Sequence, residues 1–202
     1  MRISELSETT GVALPTLKFY LRERLLMPGV ATSATRSEYG DEHVRRVRVI
    51  RALTESAGLS VSKARDVLRI IDSPGDNLFA ALGHAVGALP PEPVEREDYP
   101  RARRLLERLG YWYDPAYPAV AQFEAALESA ESAGMPLSDE RLDEYAAGIR
   151  RIAEYDIANV PADGASAVEY SVLGTALYEP VLIALRRLAH QDIAARRLGG
   201  LG

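Results

Sequence analysis

Residues 14–22, Leu14-Pro15-Thr16-Leu17-Lys18-Phe19-Tyr20-Leu21-Arg22, put cationic, aromatic and hydroxyl side chains on one short helix. Pro15 suits a first helical turn, where its missing N–H costs nothing. Leu14, Leu17 and Leu21 recur at i, i+3 and i+7, which predicts a buried face. Thr16, Lys18, Phe19, Tyr20 and Arg22 then share the open face and its flanks.

Upstream, Ser4 to Glu8 reads as a short helix carrying Ile3, Leu6 and, just beyond it, Val12. Gly11 suits the left-handed turn that ends it. Downstream, Leu25-Leu26-Met27-Pro28-Gly29 breaks the second helix. Val30 to Tyr39 is rich in Ser and Thr and reads as a β-hairpin. Helix, tight turn, basic-aromatic helix and extended wing is the order of a winged helix-turn-helix, which seats its second helix in a DNA groove.

A third helix is expected from Asp41, whose carboxylate suits a helix N-terminus. Val44, Val47, Ile50, Ala52 and Leu53 form its apolar face, and Arg45, Arg46, Arg48 and Arg51 its polar face. Gly58-Leu59-Ser60-Val61 is a turn with Ser60 as N-cap. A fourth helix then buries Val61, Ala64, Val67, Leu68 and Ile71, and Asp72-Ser73-Pro74-Gly75 closes the head.

The remainder is expected to be helical. Leu78, Leu82, Val86 and Leu89 make an apolar stripe, followed by the stiff break Pro90-Pro91-Glu92-Pro93. Helices follow at about 99–109, capped by Asp98, at 118–133, at 138–160, capped by Ser138, and at 165–198. Pro180 should kink or break the last, because it removes an internal hydrogen bond and clashes with the preceding turn. The fold class is mainly α: a winged helix-turn-helix head with a small β-hairpin, then an all-α effector and dimerisation domain. The expected divisions are 1–72 for the head, 73–97 for a linker helix and proline-rich break, and 98–202 for the body.

The 202 residues carry a net charge of −5, an unpromising value for a nucleic-acid binder until it is divided. Residues 1–72 hold 12 Lys and Arg against 9 Asp and Glu, and residues 73–202 hold 12 against 20. A basic head on an acidic body suits a DNA regulator, and the acidic part limits nonspecific adhesion to DNA. Without cysteine there are no disulfides or thiolate metal sites, and a reducing, cytoplasmic location is expected. The charged N-terminus does not read as a signal peptide, and no uncharged apolar run reaches the ~18 residues of a membrane helix.

The quoted segments resemble the MerR family of bacterial transcription regulators over about residues 1–72. Ile3, Leu6, Thr10-Gly11-Val12 and Pro15-Thr16-Leu17-Lys18-Phe19-Tyr20 resemble its opening signature. Leu25-Leu26-Met27-Pro28 resembles the end of its recognition helix, Arg36 and Tyr39 its wing, and Gly58-Leu59-Ser60-Val61 its later turn. Three positions depart from the family pattern. Phe19 stands where a tyrosine is usual, Arg24 stands where glycine is usual, and Arg36 and Tyr39 are three apart rather than two. The body lacks the family's usual long antiparallel pairing helix directly after the head. The resemblance implies a homodimer on a palindromic promoter operator, a small-molecule effector acting on the body, and a setting shared with RNA polymerase.

Phosphate contacts give affinity and register, whereas base-edge contacts give sequence choice. Arg22 and Lys18 have the reach for both; Arg offers guanine a bidentate fork and Lys a point charge. The DNA-contacting set is Thr16, Lys18, Phe19, Tyr20, Arg22, Arg36, Tyr39, Arg45 and Arg46. For each arginine of the third helix a solvated face is the equal alternative. In the body, Tyr111, Trp112, Tyr145, Tyr155, Tyr170 and Tyr178 either pack between helices or line an effector site. Val181, Leu182, Leu185 and Leu188 form a candidate dimer face. His43, His84 and His190 lack metal-like partner spacing, so neither a metal nor another cofactor is expected. No catalytic triad, phosphate loop or acid pair is recognisable, so the chain does not read as an enzyme. Two rival readings are an effector-independent repressor and a protein-docking body carried on a DNA-binding head.

Overall fold

The computed structural model describes residues 1–33, 36–90 and 96–198. Residues 91–93 of the expected proline break lie outside the described residues, as do Ala34 and Thr35 of the expected wing. The chain divides into two compact units. The first is Met1–Arg69 with Ser171–Gly202, and the second is Ile70–Tyr170. The first unit holds 16 Lys and Arg against 10 Asp and Glu, net +6. The second holds 8 against 19, net −11, so charge separates between the units more sharply than a simple cut along the chain shows.

In the first unit, helix α1 (Ile3–Thr10) ends at Gly11 with φ 67°, the left-handed cap a glycine adopts without cost. Helix α2 (Leu14–Arg22) follows with Pro15 in its first turn. Strands β1 (Val30–Ser33) and β2 (Arg36–Glu38) form an antiparallel hairpin that pairs Val30 with Glu38 and Ala31 with Ser37. Helix α3 (Asp41–Arg51) continues into a π-helical turn over Ala52–Ser56, where the Ala57 N–H reaches the Ala52 carbonyl at 2.9 Å. Helix α4 (Val61–Asp72) starts with the Lys63 N–H donating to the Ser60 hydroxyl, so Ser60 caps it as expected. Leu6, Leu17, Leu25, Leu26, Val47, Ile50, Leu53, Val67 and Leu68 are almost wholly buried and form the core. Each such side chain contributes about 2 kcal/mol by leaving water.

In the second unit, helix α5 (Leu78–Gly87) is capped by Asn77, whose side chain accepts from the Ala80 N–H. Helices α6 (Pro100–Arg108) and α7 (Pro118–Ser132) pack together, and α8 (Asp139–Ala158) begins at the Ser138 cap. Tyr99, Ala102, Val120 and Ala121 form one core cluster and Leu105, Leu127 and Leu142 another, with Phe123 packed against both. Asp98 does not cap α6. Its carboxylate accepts from the Tyr99 N–H and pairs with Arg103, and the N-cap position falls on Tyr99.

Glu124 on α7 performs the capping that α6 lacks. It is 1% exposed, accepts from the Ala102 N–H at 2.8 Å and pairs with Arg101 at 3.0 Å. A free N–H of the first helical turn is thereby satisfied from a neighbouring helix.

Helix α9 (Gly164–Leu198) runs through Pro180 without a break. Proline removes one hydrogen bond here, and the helical turns before and after it, within a helix of 35 residues in all, carry the chain across. By length and composition α9 could cross a membrane, with a mean hydropathy of 1.3 over its best window. That window necessarily includes Glu169 and Glu179.

Candidate nucleic-acid interface

Helix α2 buries Leu17 and Tyr20 and leaves Leu14 and Leu21 half-buried. Its buried stripe is therefore centred between Leu17 and Tyr20, rotated from the leucine spacing. The opposite strip is Pro15, Lys18 and Arg22, all exposed, with half-buried Phe19 at its edge. Lys18 and Arg22 are four residues apart, so their side chains rise from the same face one turn apart. Lys18 has no side-chain partner among the described residues. The Arg22 side chain is 72% exposed; its guanidinium lies 5.3 Å from the Phe19 ring centroid and touches Glu23 at 3.3 Å. Stacking on Phe19 limits the directions in which Arg22 can point, which lowers the entropy cost of ordering it on a ligand.

Tyr20 is not on the open strip. It is 6% exposed, and its phenol is held above the ordinary value by burial first and by the nearby Glu55 carboxylate second. A hydrogen bond with Thr54, which itself donates to the Ile50 carbonyl, directs it towards the π-helical turn. Phe19 and Tyr20 are tilted at 55° with centroids 6.1 Å apart; Phe19 is half-buried at the edge of the open strip, and Tyr20 braces α2 on the π-helical turn.

The wing is fixed at its base. Tyr39 is 8% exposed. Its N–H donates to the Met1 carbonyl and its carbonyl accepts from the Met1 ammonium, both at 2.8 Å. Its ring meets His43 edge-on at 5.0 Å. His43 is buried, with Nδ1 accepting from the Gly40 N–H at 3.0 Å and Nε2 3.4 Å from the Pro28 carbonyl. Nδ1 as acceptor and a proton on Nε2 suit both partners. Gly29 is required where the wing begins, since a Cβ there would stand 2.7 Å from the Glu38 oxygen and 3.0 Å from the Tyr39 ring. Arg36 is exposed on β2.

On α3, Arg45 is exposed and Arg46 half-buried. Arg46 Nε donates to the Leu25 carbonyl at 2.8 Å. On α4, Arg65 donates to the Glu23 carbonyl at 2.8 Å and to its carboxylate at 3.0 Å. Two arginines thus grip the turn that ends α2. Neither Arg65 nor His43 was legible as a site residue, because each acts on main-chain oxygens that only the fold brings near.

The body aromatics are dispersed. Trp112, Tyr145, Tyr155, Tyr170 and Tyr178 are exposed, and Tyr111 is half-buried. The three consecutive rings of Tyr111, Trp112 and Tyr113, between α6 and α7, splay towards different helices. Tyr111 lies under Arg150 at 4.7 Å, Trp112 against Phe79 at 5.1 Å and Tyr113 under Arg103 at 4.9 Å. Val181, Leu185 and Leu188 are exposed on α9, and Leu182 is half-buried. Among the described residues no group of three or more His, Asp or Glu is arranged to hold a metal.

A basic strip on the second helix of a helix-turn-helix, beside a clamped two-stranded wing, defines a winged helix-turn-helix, DNA-binding transcriptional regulator. Residues 1–70 match the family described as MerR HTH family regulatory protein. The chain is similar to the crystal structure of SCO5550, a proposed transcriptional regulator from Streptomyces coelicolor A3(2). Identity is 33%, the TM-score is 0.74, and 98% of each chain is covered. No curated protein matches it. Residues 1–70 form a MerR-family helix-turn-helix domain.

Proposed function

We propose that the protein is a cytoplasmic, sequence-specific regulator acting as a homodimer on a palindromic promoter operator, alongside RNA polymerase. The observation that carries this reading is the pairing of Lys18 and Arg22 on the exposed strip of α2, within a unit of net charge +6. Each protomer lays α2 in a major groove and sets Arg36 of the wing, with Arg45, against the adjacent backbone. Lys18 and Arg22 read base edges or phosphates, and Thr16 and Phe19 flank them. Tyr20, Tyr39 and Arg46 contribute from behind by holding α2 and the wing at a fixed angle.

The exposed apolar positions Val181, Leu185 and Leu188 on α9 support dimerisation, because a single head binds DNA weakly and two on a palindrome bind tightly. Footprinting on the DNA upstream of the protein's own gene tests the whole reading. Two protected half-sites separated by a whole number of helical turns are expected. A single unpaired footprint contradicts the dimer, and no footprint contradicts operator recognition.

A further inference from the structure

The turn that ends α2 contains a conformation its residue does not favour. Arg24 has φ 58°, and among the described residues it is the one non-glycine with positive φ. The other left-handed positions, Gly11, Gly58, Gly75, Gly110 and Gly134, are all glycine. The hydrogen bonds are those of a helix C-cap that normally ends in glycine. The Leu25 N–H reaches the Tyr20 carbonyl at 2.9 Å, and the Arg24 N–H reaches the Leu21 carbonyl at 3.2 Å. A side chain at this position destabilises the turn relative to glycine.

The surroundings hold the strain in place. Arg65 grips the Glu23 carbonyl and Arg46 the Leu25 carbonyl, one on each side of Arg24. Arg24 itself is exposed and has no side-chain partner among the described residues. It therefore returns nothing to the fold through a side-chain hydrogen bond or ion pair, although its backbone costs stability. Arg24 stands two residues past Arg22, just beyond the C-terminal end of α2. The end of a helix lying in a groove is the place from which an arginine reaches the flanking phosphates.

We propose that Arg24 is a further DNA-contacting residue, a phosphate anchor at the C-terminal end of α2. The proposal rests on the DNA-binding reading above. Its consequence is a trade-off between stability and binding at a single position.

The test compares Arg24→Gly and Arg24→Lys with wild type and Lys18→Ala in urea unfolding and in fluorescence-anisotropy titration of upstream DNA over a range of salt. Arg24→Gly should unfold at higher urea yet bind DNA roughly tenfold more weakly, with the slope of log K against log[salt] reduced by about one. Arg24→Lys should retain the slope. If wild type binds, Lys18→Ala loses affinity and Arg24→Gly binds with unchanged affinity and slope, the anchor is wrong while the DNA reading stands. If wild type does not bind, both fall.

Discussion

Arg46 on α3 donates from Nε to the main-chain oxygen of Leu25 at 2.8 Å, tying the third helix to the turn that ends the second. A guanidinium held in this way sets the angle of α2 rather than lying loose on the surface. Arg46→Ala should lower stability by about 1–3 kcal/mol, the value of a hydrogen bond to a charged group. Arg46→Lys should recover only part of this, because an ammonium does not reproduce the planar fork. Urea unfolding of the three proteins checks the prediction; an unchanged midpoint in Arg46→Ala would show that the bond is incidental.

Glu124 is the principal buried charge of the second unit, accepting from the Ala102 N–H and from Arg101. Glu124→Ala leaves that N–H without its acceptor and should destabilise by about 3 kcal/mol. Glu124→Gln keeps an acceptor but loses the charge facing Arg101, so it should fall between. Circular-dichroism melts rank the three. Equal losses in both variants would mean that the ion pair, not the helix cap, dominates.

Two surface ion pairs give the second unit an acid-sensitive component. The Arg96 guanidinium holds Glu128 below its ordinary value of 4.5, and Arg108 holds Asp143 below 3.8, chiefly by direct hydrogen bonds. A carboxyl whose folded pKa is depressed stabilises fully above its unfolded pKa and loses that contribution as pH falls through the folded value. Unfolding midpoints should therefore hold down to about pH 4.5 and fall below it. Arg108→Ala should be less stable at neutral pH and show a shallower decline in acid. A decline of wild-type steepness in Arg108→Ala would assign the effect to other carboxylates.

On α9, Leu185 and Leu188 are 56% and 59% exposed. Leu185→Glu with Leu188→Glu should leave the fold intact, since neither side chain is in a core. It should shift sedimentation from dimer to monomer at micromolar protein. A double variant that remains dimeric would remove this face from the interface.

Much of the head could be read from sequence because its signals are local. Gly11, Pro15 and the break at Leu25 to Gly29 act through their own backbone and Ser60 through a hydroxyl that reaches a backbone N–H three residues on, and the structure places helix ends beside all of them. The Ser138 cap follows the same logic in the second unit. The orientation of Tyr20 was not legible, because α2 is only nine residues long and is buried by Thr54 and its neighbours on one flank as well as by the leucine face. The π-helical turn at Ala52–Ser56 has no periodicity of its own to reveal it. Arg65, Glu124 and Arg150 find their partners 42, 22 and 39 residues away, distances at which spacing in the chain carries no information.

The central claim is that α2 binds DNA through Lys18 and Arg22. The most direct measurement is an anisotropy titration of upstream duplex with wild type, Lys18→Ala and Arg22→Ala at two salt concentrations. Saturable binding that weakens with salt is expected, with each alanine costing about 1–3 kcal/mol. No binding at low salt, or binding that neither substitution weakens, would contradict it.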